Sequence, residues 1–72
     1  MKKRFDLINL GCANCAAKME DKISKLAGVE SCVISFMNAR LSINAEAEDF
    51  ERILVEAQEI VSSIEHDCYI KY

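Results

Sequence analysis

"SCVISFMNARLSI", residues 31–43, decides the fold. Its apolar residues alternate rather than recur with helical spacing. Cys32, Ile34 and Phe36 fall on one face, with Val33 and Ser35 on the other. Met37-Asn38-Ala39-Arg40 reads as a turn, and Leu41 and Ile43 return inward on a second strand, so the stretch is a β-hairpin. Upstream, residues 14–27 carry Ala16, Met19, Ile23, Leu26 and Ala27 at helical spacing, with Lys18, Asp21, Lys22 and Lys25 outward. Gly28 then offers a left-handed helix end. Before that helix, "KRFDLINL" (residues 3–10) places Phe5 and Leu7 on one face of a strand and Ile8 and Leu10 on the other. Downstream, Asp49 is placed to cap a second helix whose stripe is Phe50, Ile53, Leu54, Ala57, Ile60, Val61 and Ile64. "CYIKY" (residues 68–72) closes the chain as a strand, Cys68 and Ile70 sharing a face.

The order strand, helix, strand, strand, helix, strand, with right-handed crossovers, predicts an α+β, ferredoxin-like βαββαβ sandwich. Four antiparallel strands should run 4-1-3-2, with two helices on one face. The first and last strands are then antiparallel neighbours. That brings the loop after the first strand beside Glu65-His66-Asp67-Cys68, and chemistry separated in sequence meets at one end of the sheet.

Seventy-two residues make one domain, 1–72, near the lower size limit for an unstapled hydrophobic core. The chain is 51% hydrophobic and 29% charged with two glycines and no proline, a composition that folds rather than one that stays disordered. The basic start Met1-Lys2-Lys3-Arg4 is interrupted by Asp6 and lacks a cleavage-site pattern, so no signal peptide is expected. No apolar run approaches the roughly 20 residues of a membrane span. A net charge of -3 argues against nucleic acid as a partner. These features fit a cytoplasmic domain with no membrane contact of its own. The end at the last strand fits a complete small protein and a piece of a larger one equally.

Cys12-Ala13-Asn14-Cys15 lies in the first strand-to-helix loop, where two thiols three positions apart can bind metal, exchange electrons or pack. Thioredoxin-like redox motifs come with an aromatic residue before the pair and a proline elsewhere; this chain has no tryptophan or proline. A zinc ribbon needs a second paired set of ligands, which is absent. An exposed loop is a poor place for two core thiols. Metal binding leads, and the helix start favours a thiolate at Cys15. Cys32 and Cys68 replace inward apolar residues and read as core, on opposite edges of the sheet, too far apart for a disulfide. Met19 and Met37 also read as core. One histidine and no glycine-rich phosphate loop leave no catalytic constellation, so the domain by itself is not expected to be an enzyme.

"NLGCANCAAKMEDKISKLAGVESCVISFMNARLSI" (residues 9–43) resembles the heavy-metal-associated domain, whose loop reads Gly-Met-x-Cys-x-x-Cys before a helix and a Gly-Val. The ANCAAK motif and the ending "EIVSSIEHDCYIKY" are similar to the domains at the N-termini of cadmium/zinc-transporting P-type ATPases. The resemblance implies that Cys12 and Cys15 are the metal ligands and that Leu10 replaces a buried loop methionine. Asn9 stands for the loop glycine, a substitution tolerable because asparagine visits left-handed conformations. Gly11 occupies the position where many zinc-handling relatives carry an aspartate ligand.

Copper-handling relatives place Gly-Tyr, Gly-Phe or a lysine near the last loop, which here reads Ile64-Glu65-His66-Asp67. Cu(I) is content with two thiolates, whereas Zn(II), Cd(II) and Pb(II) take more ligands and accept oxygen or nitrogen. The acidic loop favours Zn(II), Cd(II) or Pb(II) over Cu(I). Glu65 is the first candidate for a third ligand, followed by His66, Asp67 and Cys68. The expected task is to take a soft ion and pass it to a cysteine-bearing site of a transporter or donor protein, as a monomer or a metal-bridged dimer. The alternatives are a free-standing Cu(I) metallochaperone, a thiol–disulfide oxidoreductase and a metal-free interaction module.

Overall fold

Alternation over residues 29–45 produces the central hairpin. In the computed structural model, which describes residues 1–71, it comprises β2 (Val29–Ser35) and β3 (Arg40–Ala45). Leu41 and Ile43 are fully buried, as their spacing requires. The strand β1 (Lys2–Ile8) pairs antiparallel with β3, Phe5 opposite Leu41. On its other side β1 takes the short strand β4 (Tyr69–Lys71), Leu7 opposite Ile70. The resulting order β2-β3-β1-β4 is the expected 4-1-3-2 arrangement read from the opposite edge. Tyr72, read as the end of the last strand, lies outside the described residues.

The helices α1 (Ala13–Ser24) and α2 (Phe50–Ile64) cover one face. Met19, Ile23, Phe50, Ile53, Ala57 and Val61 meet Leu7, Leu41, Ile43 and Ile70 in one core. Each large aliphatic side chain buried there contributes about 1.5–3 kcal/mol. Cys32 and Cys68 belong to the same core as free thiols, on opposite edges of the sheet, as their inward positions predict.

Each edge strand has one outward backbone N–H satisfied by a helix side chain. Ile34 N–H of β2 donates to Glu20 Oε2 at 2.7 Å, and Ile70 N–H of β4 donates to Gln58 Oε1 at 2.8 Å. Capping of this kind removes a donor that would otherwise template pairing with another strand.

Local readings are corrected in four places. Helix α1 ends at Ser24, short of Ala27, because the chain tightens there into turns closed by Leu26 N–H to the Ile23 carbonyl. Gly28 has the left-handed φ of +92° beyond those turns, in a space where a Cβ would lie 2.9 Å from Arg52 Nη2. Asp49 precedes α2 but makes no capping hydrogen bond; a 3-10 turn, Ala47–Asp49, leads in instead. Strand β2 stops at Ser35, so Phe36 is 42% exposed, and Met37 is 94% exposed at the turn tip rather than in the core.

Candidate metal centre

Strand β1 stops because Asn9 adopts φ +64°, a conformation that asparagine accepts more readily than most residues. The same residue fastens the loop: its side-chain amide donates to the Asp67 carbonyl at 3.0 Å. Two residues on, Gly11 N–H donates to Glu65 Oε2 at 3.3 Å. The loop before α1 and the loop after α2 are thus tied together twice. Leu10, only partly exposed, packs against the core beneath them. The hairpin turn joins the same end, where Leu7 N–H donates to the Ala39 carbonyl at 2.7 Å.

Cys12 is the N-cap residue of α1, with extended backbone (φ −143°, ψ 120°). Its Sγ accepts the Cys15 N–H at 3.2 Å, so sulfur takes the role that a serine or aspartate oxygen usually fills. Both thiols are partly exposed. The thiol hydrogen bond from Cys15, then the amides of Cys15 and Asn14, hold the Cys12 thiol below its ordinary range against opposition from burial and Glu65. Cys15 moves the other way, to about 11, through its hydrogen bond to Cys12, burial and the adjacent Glu65. The helix start therefore favours the thiolate at Cys12 rather than Cys15. The amides that stabilise it point at the cap position, not back at the third helical residue.

Sγ of Cys12, Sγ of Cys15 and a carboxylate oxygen of Glu65 lie within 4.8 Å of one another. Zn–S bonds of about 2.3 Å put tetrahedral sulfur pairs ~3.8 Å apart, so a modest contraction closes the triangle on an ion. His66 and Asp67 are exposed, and neither side chain belongs to this group. Asp67 contributes its carbonyl to Asn9 instead. Cys68 is 1% exposed, facing the core beside Ile70, and burial pushes its thiol up. Sequence reasoning did not reach the Asn9–Asp67 and Gly11–Glu65 ties. The one signal for them was an asparagine where a left-handed residue was needed.

A family model described as "Heavy-metal-associated domain" matches residues 4–68. The "Cadmium, zinc and cobalt-transporting ATPase" of Bacillus subtilis (strain 168) is 26% identical over 65 residues, covering 90% of this chain and 9% of that protein. The "Probable cadmium-transporting ATPase" of Staphylococcus aureus is 32% identical over 53 residues, covering 71% of this chain and 7% of that protein. The chain thus spans only a small part of the length of these curated relatives. A solved structure described as "Crosstalk between Cu(I) and Zn(II) homeostasis" superposes with a TM-score of 0.75 at 24% identity, over 99% of this chain and 96% of that one. "CopZ metallochaperone" superposes with a TM-score of 0.72 at 13% identity, over 97% of this chain and 98% of that one. At these identities the structural likenesses carry the fold alone. Among the described residues no helix is long and apolar enough to cross a membrane.

Proposed function

This chain belongs to the heavy-metal-associated domain family, and from that premise we propose that it takes a soft metal ion onto Cys12 and Cys15 and passes it on by ligand exchange. A domain of this family binds metal and is not catalytic by itself. The observation that carries the reading is the convergence of two partly exposed sulfurs and the Glu65 carboxylate within 4.8 Å. An ion held there keeps an open coordination position. Thiolates from the partner enter through that position one at a time, each replacing one ligand of this site, the carboxylate oxygen first and then the two sulfurs in turn. As Cys15 leaves the metal it takes up a proton, since its free thiol holds one up to about pH 11.

Zn(II), Cd(II) or Pb(II) is the proposed cargo, ahead of Cu(I). A carboxylate oxygen suits a divalent ion that wants a third ligand, whereas Cu(I) gains little from it. The two curated relatives, a cadmium, zinc and cobalt transporter and a probable cadmium transporter, support the same preference. The chain would then act as the N-terminal domain of a P-type ATPase, on the cytoplasmic side, with a cysteine-bearing site as its partner. A Cu(I) metallochaperone is the second reading. It is favoured by the presence of only two sulfurs at the site, Cys68 being buried.

Competition between Cd(II) and Cu(I) under reducing conditions, for the wild type and Glu65→Gln, separates the two. Divalent selectivity that falls in the variant is expected. A wild type that prefers Cu(I), by a margin the variant does not change, would favour the copper reading.

A further inference from the structure

The sheet face that the helices leave uncovered carries mainly positive charge. Its register places Lys2, Arg4, Arg40 and Lys71 there with one carboxylate, Asp6. The whole chain nevertheless has twelve acidic residues against nine basic ones. Arg4, Arg40, Ser35, Ser42 and Asn38 line a hollow on this face, floored by Val33, which is 56% exposed. Arg4 has no ion pair among the described residues, and Arg40 meets Asp6 only at 3.8 Å.

The outer face of α2 is the counterpart. Glu48, Glu51, Arg52 and Glu56 surround Val55, which is 55% exposed in a shallow depression, and exposed Glu59 extends the row. Arg52 is already engaged, donating to Glu56 at 2.8 Å and to the Ala27 carbonyl at 2.6 Å. One side of the sandwich thus has an exposed valine flanked by Arg4 and Arg40, and the opposite side an exposed valine flanked by three carboxylates and the engaged Arg52.

We infer that the uncovered sheet face docks the outer face of α2 of a second copy of this chain, head to tail. The contact sets Arg4 and Arg40 against Glu51 and Glu59 and closes Val33 on Val55. Opposite charges within a Debye length of about 8–10 Å dominate over the net repulsion of two acidic molecules, which salt screens. The two faces are different surfaces, so the association is heterologous and does not close as a two-fold dimer. The association is of the weak, transient class. Neither Cys12 nor Cys15 is among its residues, and the contact does not depend on metal.

Sedimentation velocity and 15N–1H NMR on the chelator-treated, reduced protein, from about 50 µM to about 1 mM, test this. The expected result is concentration-dependent association with shifts at Val33, Ser42, Glu51 and Val55, lost in concentrated salt. Arg4→Glu/Arg40→Glu and Glu51→Lys/Glu59→Lys should each abolish it, at least tenfold, while both remain folded by circular dichroism. Mixing the two variants should restore it. Absence of association, shifts confined to the Cys12–Cys15 and Glu65 loops, or failure of the mixture to recover would each overturn the inference. So would binding of the face to phosphatidylglycerol vesicles with no self-association.

Discussion

Glu65 Oε2 accepts the Gly11 backbone N–H at 3.3 Å across a sequence separation of 54, fixing a carboxylate beside two sulfurs. The expected consequence is a specific loss in Glu65→Gln. Cd(II) affinity should fall by about 10- to 100-fold, while Cu(I) affinity changes less than about threefold, because two thiolates already satisfy that ion. Competition with chromophoric chelators measures both. Equal losses for the two ions would make Glu65 a scaffold for the loop rather than a ligand.

Uptake of a divalent ion must expel the Cys15 proton, since that thiol is held protonated up to about 11. Apparent affinity should therefore rise with pH, by about tenfold per unit where Cys15 alone releases a proton and more steeply at lower pH where Cys12, the more acidic thiol, is protonated as well. Calorimetry in buffers of different ionisation enthalpy counts the protons released.

The same asymmetry orders the four thiols. Cys12, held below its ordinary range, should react with iodoacetamide before Cys15. Cys32, which burial pushes to about 12, and buried Cys68 should react only on unfolding. Peptide mass spectrometry over a time course gives the order, and a bound ion should protect Cys12 and Cys15 together.

Gly11 is not required by its backbone: a Cβ there meets nothing within 4 Å, and its φ is not in the left-handed region. Gly11→Asp should fold with stability within about 0.5 kcal/mol of the wild type. It should also strengthen Zn(II) binding by roughly tenfold relative to Cu(I), through an added oxygen donor. Asn9 is the opposite case. Asn9→Ala forces a φ of +64° on a residue that resists it and removes the bond to Asp67, costing about 1–3 kcal/mol in thermal or denaturant unfolding.

The elements were legible because their periodicities are unmixed: alternation over residues 31–43 and a helical stripe from Phe50 to Ile64 each admit one reading. The strand order followed from connectivity, and it alone placed Cys12 and Cys15 beside Glu65. What sequence could not show were the places where the chain departs from periodicity. Phe36 continues the alternation of β2 and Met37 is apolar, but the turn begins at Phe36, after the last paired residue, Ser35, and leaves both at the surface. Nothing in the sequence foretells Ala39 at φ +50°. The assignment of the thiolate failed for a related reason, since dipole arguments locate a helix end but not which of two sulfurs its amides reach. Met19→Ala should accordingly cost about 2–5 kcal/mol, and Met37→Ser should be near neutral.

Thiolate ligation at the head of α1 is most directly measured by titrating the reduced protein with Cd(II) and following sulfur-to-cadmium charge-transfer absorption in the ultraviolet. Saturation at one ion per chain is predicted, with the signal abolished in Cys12→Ser/Cys15→Ser and retained in Cys32→Ser. Stoichiometric uptake that survives loss of both loop sulfurs, or no charge-transfer band in the wild type, would contradict it.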